Sequence, residues 1–197
     1  MEAMSKLNVI YIPGLGDNNP TVQAKAVAVW KRYGVDPELF QMDWADDEPW
    51  KSKFDKLLAR IDEVASGGQK VALVGVSAGA GAVINAYAAR KDKIVGAVCI
   101  LGKINNPQEI GDKYRDRNPS FIESAYAVPE SLEKLGAEER KRIMSRYAVY
   151  DEIVPKEDSQ IKGAKNQTLP GFFHAPTIAF QLVFGAPAFI KFLKDQV

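Results

Sequence analysis

Four short runs along the chain, LNVIYI (7–12), VALVGV (71–76), IVGAVCIL (94–101) and RYAVYD (146–151), are rich in Val, Ile and Tyr with little polar alternation. Strands covered on both faces read this way, whereas a strand with one wet face alternates. ELFQMDW (38–44) and NQTLP (166–170) are weaker candidates, placed nearer the sheet edges. Between the runs the apolar positions change to spacings of three and four. In the first such stretch Asn19 is positioned to cap and Pro20 to occupy the first turn, and Val22, Ala26, Val29, Trp30 and Tyr33 form a face that stops at Gly34. A second helix follows Pro49, with Phe54, Leu57, Leu58, Ile61 and Val64 on one face before Gly67 and Gly68. A third opens in the Gly/Ala stretch after Val76.

Strand and helix thus alternate to about residue 101, which predicts an α/β fold: a mostly parallel sheet of about six strands with helices on both faces. The alternation breaks over residues 103–145. NPSFIESAY (118–126), with Ser120 and Glu123 in capping-box spacing, and the stretch from Pro129, divided by Gly136, read as helical pieces with no convincing strand. An insertion of this kind is expected to sit above the strand ends as a helical lid on a single domain spanning 1–197. Residues 175–190, APTIAFQLVFGAPAFI, are the most apolar stretch, but they fall short of the roughly 20 residues a membrane span needs and are interrupted by Gln181, Gly185 and Pro187. They read as a buried or half-buried terminal helix, with Pro187 starting a new turn or a kink, and an interfacial anchor or a dimer face as the alternative.

Composition narrows the partners. The 26 Lys and Arg balance 25 Asp and Glu, for a formal charge of +1, and the charges alternate in sign without forming blocks. No basic surface for nucleic acid is implied. One cysteine and one histidine exclude an internal disulfide framework and a Cys/His zinc cluster. The single cysteine fits a reducing cytoplasm, the expected compartment, and the N-terminus, without the apolar core of a signal peptide, reads as mature sequence. Cys99, inside an apolar run, is read as a small buried hydrophobe.

One hydroxyl stands out. Ser77 lies in Gly75-Val76-Ser77-Ala78-Gly79, a G-x-S-x-G pattern at the join between a buried-type strand and a small-residue helix. On so sharp a turn, side chains two residues before and after the serine would strike the crossing strand and helix, and glycine removes both clashes. Gly81 and Ala82 are expected to let the helix approach the sheet closely.

With this motif in this context, the sequence resembles the α/β-hydrolase family over nearly its whole length. The resemblance implies a serine hydrolase cleaving a carboxylic ester or related acyl compound through an acyl-enzyme on Ser77, with the order serine, acid, histidine along the chain. His174, the single histidine, lies in the loop after the last weak strand, where the family carries its base. Asp151, at the end of the penultimate strand, matches the acid position, with Glu152 and Asp158 as rivals. The backbone N–H of Ala78 would give one oxyanion donor, and Leu15 or Gly16, in the loop after the first strand, the other. That loop carries Pro13-Gly14 where many members have His-Gly. Read instead as a phosphate loop, GLGDNN lacks the third glycine of G-x-G-x-x-G. Phe172, Phe173 and Phe121 are candidates to line a pocket, with core packing as the other role for them; Ile122 and Tyr126 could roof it. Asp17 could touch a polar substrate or cap the first helix. The implied partner is a small-molecule acyl substrate, and no metal or organic cofactor is implied. A thioesterase or acyltransferase on the same residues, and a binding or scaffold protein retaining the fold without turnover, are the alternative readings.

Overall fold

Successive residues of each central strand enter different cores. Ile10, Ile12, Leu73, Ala97 and Cys99 face one apolar cluster, and Val9, Tyr11, Val74, Val98 and Ile100 face the other. A period of two with both phases apolar is the mark of a sheet dressed with helices on both sides. The computed structural model describes residues 6–17 and 20–197. Its strands are β1 (Leu7–Ile12), β2 (Asp36–Leu39), β3 (Lys70–Val76), β4 (Ile94–Ile100), β5 (Ile143–Tyr150) and β6 (Lys165–Phe172). They form one sheet in the order β2-β1-β3-β4-β5-β6, every adjacent pair parallel.

The helices are α1 (Pro20–Ala28), α2 (Trp50–Ser66), α3 (Ala78–Ala89), α4 (Asp112–Arg115), α5 (Pro119–Glu133), α6 (Ala137–Lys141), α7 (Lys156–Ser159), α8 (His174–Val183) and α9 (Ala186–Lys194). Residues of α2, α3 and α5 pack in the first cluster, and those of α1, α8 and α9 in the second. Trp30 anchors the second layer: its ring meets Phe189 edge-on at 5.2 Å and its Nε1 donates to Leu182 O at 2.7 Å.

Several local expectations are corrected. The strand expected over 38–44 ends at Leu39, because Asp17 draws in the N–H groups of Met42 and Asp43 and Asp43 turns to φ 50°. Asp17 is buried in that role and does not cap α1, and Asn19 lies outside the described residues. The expected face of α1 is met in part: Trp30 is buried, and Ala26 and Tyr33 pack against the second cluster, but Val22 is 66 % exposed, Val27 is buried as well, and the chain tightens to a 3-10 helix over Val29–Tyr33. Gly81 faces α5 across the helix layer, where an added Cβ would lie 3.3 Å from Val128 Cγ2.

The 103–145 segment is mostly crossover and only partly roof. α5 runs unbroken through Pro129, held by Phe121, Ala125 and Val128 on the core side, and Asn85 Nδ2 of α3 donates to Ser124 O at 2.9 Å. Asn118 is its N-cap, and Ser120 Oγ donates to Trp44 O, so no capping box forms. Tyr126 points outward, half exposed. Within this segment Lys103, Glu109, Ile110, Gly111, Tyr114 and Phe121 line the cavity at Ser77.

Candidate active site

Ser77 sits between β3 and α3 with φ 50° and ψ −119°, a conformation that L-residues rarely adopt. Its N–H donates to Ile100 O at 2.9 Å, which pins the turn to β4. The flanking glycines are required by space. A Cβ on Gly75 would stand 2.4 Å from Gly79 O, and one on Gly79 would stand 2.3 Å from Ile12 O. The turn is thus wedged between α3 and the end of β1, and the serine hydroxyl is pushed out above the strand ends.

Two loops bring the partners. His174 is the first residue of α8, reached through Phe173 at φ 75°. Its Nε2 lies 2.9 Å from Ser77 Oγ and its Nδ1 2.7 Å from Asp151 Oδ2. Asp151 directly follows β5, and its Oδ1 accepts from the N–H groups of Ile153 at 2.8 Å and Val154 at 2.9 Å. Burial alone would raise the Asp151 carboxyl, but the bonds from His174, Val154 and Ile153 outweigh it and hold the group below its ordinary value. A carboxylate held by three hydrogen bonds orients the imidazole and favours the tautomer with the proton on Nδ1, which leaves Nε2 able to accept from Ser77.

The rival acids go elsewhere. Glu152 Oε2 accepts the backbone N–H of His174 at 2.9 Å, so it secures the first turn of α8 and does not reach the ring. Asp158 is buried against Lys103. Spacing alone could not separate these three acids, because the choice depends on which oxygen the loop turns toward α8.

Leu15 and Ser77 border a common opening, and Ala78 is the first residue of α3, where a helix leaves its N–H without an intrahelical acceptor. The loop bearing Leu15 is braced by Trp44 Nε1, which donates to Pro13 O at 3.0 Å. Gly16, the other sequence candidate, has φ 84°.

Two cavities meet at Ser77. A small one of about 80 Å³ is lined by Leu15, Lys103, Ile110, Tyr114 and Phe121. A groove of about 560 Å³ runs between α1 and α8, lined by Val22, Ala26, His174, Ile178, Ala179 and Leu182. Leu15, Tyr114 and Ile153 border both and form the divide. Phe121 lines the small cavity that Ser77 borders. Phe172 and Phe173 do not: at 64 % and 54 % exposed they lie on the outer side of β6 and α8 and border neither cavity. Phe172 ends the edge strand β6 and Phe173 is the N-cap of α8, and both side chains meet solvent and not the site. Lys103, Tyr114 and the groove wall of α8 were missed from sequence, where nothing marks a lone lysine after a strand as inward-facing. Cys99 is buried, and burial pushes its thiol up to about 12, which leaves it unreactive.

No protein-family model matches the chain, and no curated protein matches it by sequence. Solved structures do match. Est1E from Butyrivibrio proteoclasticus superposes with a TM-score of 0.73 at 19 % identity, over 98 % of this chain and 88 % of that one. The monoacylglycerol lipase of Paleococcus ferrophilus gives 0.65 at 16 % identity, over 96 % and 95 %. Alpha/beta hydrolase domain-containing protein 10 from mouse gives 0.66 at 17 %, over 96 % and 90 %. The chain has the α/β-hydrolase fold. Among the described residues no single helix is long and apolar enough to cross a membrane; α8 and α9 pass only as a pair bent by 60°, and Leu182, Phe189 and Leu193 of that pair are buried in the core.

Proposed function

We propose that the protein is a serine hydrolase that cleaves carboxylic esters through an acyl-enzyme on Ser77. The observation that carries this reading is the continuous chain of hydrogen bonds from Ser77 Oγ through the His174 ring to Asp151. A serine hydroxyl is a weak nucleophile at neutral pH, and His174 Nε2 stands where it can take the proton as Oγ attacks an acyl carbonyl. The tetrahedral oxyanion is received by the N–H of Ala78, helped by the positive end of α3, and by that of Leu15; each such donor supplies about 3 kcal/mol in the transition state. His174 then returns the proton to the leaving alkoxide, the alcohol departs, and water repeats the sequence on the acyl-enzyme.

The side on which the base lies assigns the two cavities. The leaving oxygen must reach His174 Nε2, so the alcohol occupies the groove that His174 borders, and the acyl chain occupies the small pocket that it does not border. The proposed substrate class is therefore an ester of a short acyl group and an apolar alcohol. A thioester or amide would use the same residues.

A fluorophosphonate probe tests the reading. Covalent mass gain on the wild-type protein that is absent from folded Ser77→Ala is expected. Folded wild-type protein that neither takes the probe nor hydrolyses any ester overturns the assignment and makes the chain a binding protein on a hydrolase framework.

A further inference from the structure

Among the described residues, one cation, Lys103, stands in the wall of the small pocket. Lys103 follows β4 and is only 9 % exposed. Its Nζ donates to Asp158 Oδ2, and among the described residues it has no other acceptor. Asp158 is itself fixed: Oδ1 accepts from Asn106 Nδ2 at 2.6 Å, and its backbone oxygen accepts from the N–H groups of Ile104 and Asn105, both at 2.9 Å. The lysine head is thus held in place by one bond, which engages one of its three N–H donors, and Lys103 lines the pocket. Burying a charged head with unused donors is costly unless something in the pocket takes them up.

We propose that Lys103 is a specificity residue that recognises a neutral oxygen acceptor, a keto or hydroxyl oxygen, on the short acyl chain. This rests on the acyl-enzyme reading above. The surrounding charge selects a neutral group over an anion. Asp158 cancels Lys103, and Glu109, exposed on the rim of the same pocket, leaves the enclosure formally negative, so a dicarboxylate half-ester meets repulsion. Ile110, Tyr114, Phe121 and Val154, also in the lining, offer apolar contact to the methylenes between the ester carbonyl and the acceptor. A site with a fixed buried donor discriminates against an isostere that lacks the acceptor, because the donor is then desolvated with no partner.

The test compares kcat/KM for three ethyl esters with acyl chains of equal heavy-atom number: 4-oxopentanoate, 4-methylpentanoate and hydrogen succinate. Each rate is divided by that of hydroxide hydrolysis to remove intrinsic reactivity. The wild type is expected to prefer the 4-oxo ester to the 4-methyl ester by about ten- to hundredfold, with the succinate half-ester slowest. In Lys103→Met with Asp158→Asn, which removes both partners and leaves no unpaired buried carboxylate, the 4-oxo preference is expected to collapse toward unity while the 4-methyl ester is still hydrolysed. Lys103→Met alone is expected to show the same collapse if it folds. Hydrolysis of the 4-methyl ester as fast as the 4-oxo ester by the wild type overturns the proposal and leaves the hydrolase reading standing. So does a double variant that keeps the preference or slows all three esters alike, which would make Lys103 a structural partner of Asp158. Hydrolysis of none of the three, with no fluorophosphonate labelling, overturns both.

Discussion

Glu152 and His174 are joined through a carboxylate oxygen and a backbone N–H 2.9 Å apart, not through the imidazole. The adjacent acid, Asp151, takes the ring. Two neighbouring carboxylates therefore have separable roles, and substitution distinguishes them. Asp151→Asn leaves the shape but removes the charge and the tautomer preference, and kcat is expected to fall by about 10⁴-fold with the fold intact. Glu152→Gln retains an oxygen for the N–H and is expected to stay within about threefold of wild type, whereas Glu152→Ala frays the first turn of α8 and lowers kcat and thermal stability together. Steady-state kinetics and circular dichroism on the three variants check this. A collapse of kcat in Glu152→Gln equal to that in Asp151→Asn would reverse the two roles.

The crowding at the serine turn leads to a second expectation. Because an added Cβ at Gly79 meets the backbone oxygen of Ile12 at 2.3 Å, no side-chain movement can relieve Gly79→Ala. β1 or α3 must shift, at about 1–3 kcal/mol, and Ser77 shifts with them. Gly111→Ala is the control for stability, since nothing lies within 4 Å of its would-be Cβ, and a change within about 0.5 kcal/mol is expected. Urea denaturation measures both. Equal midpoints for the two variants would contradict the close packing described for the turn.

The central strands and the serine were legible because their physics is local. A run such as VALVGV declares two-sided burial, and the glycines around Ser77 declare a close crossing, without reference to distant residues. Asp151 and His174 were legible only as chain order, and the choice of Asp151 over Glu152 and Asp158 lay in loop turns that leave no pattern. The placement of Phe172 and Phe173 at the site failed for a related reason. Two aromatics beside a base read as a pocket, but Phe172 ends the edge strand β6 and Phe173 caps α8 at a positive φ, and both side chains meet solvent. Lys103 left no local signal either, since its inward position is imposed by Asp158, 55 residues away.

The groove between α1 and α8 carries the third expectation. Val22 and Ala26 looked like core from their spacing, yet they face this groove, opposite Ile178 and Ala179. Ala179→Phe should narrow the groove without touching Ser77, His174 or the small pocket. If the groove holds the alcohol, octyl esters should lose about tenfold in kcat/KM through exclusion of some two methylenes at about 0.8 kcal/mol each, and ethyl esters should change little. An equal loss for both, measured with one acyl group, would place the alcohol elsewhere.

Asp62 sets the last expectation, concerning acid stability. Its carboxylate accepts from Arg90 Nε at 2.8 Å, Arg90 Nη2 at 3.0 Å and Lys93 Nζ at 2.7 Å, tying α2 to the end of α3 and the start of β4. Arg90 first, and then Lys93, lower its carboxyl to about 2 from an ordinary 3.8. The folded chain therefore binds this proton less readily than the unfolded chain. The contribution is fully present above the ordinary value and is lost as pH falls through the lowered one. The stability gap between wild type and Asp62→Asn is expected to be constant above about pH 5 and to close between about pH 4 and pH 2. Since the cluster is partly exposed, molar salt should shrink the gap at neutral pH as well. Denaturation midpoints of the two proteins across that range decide it: a gap that widens toward acid would mean that Asp62 is not held ionised by these two cations.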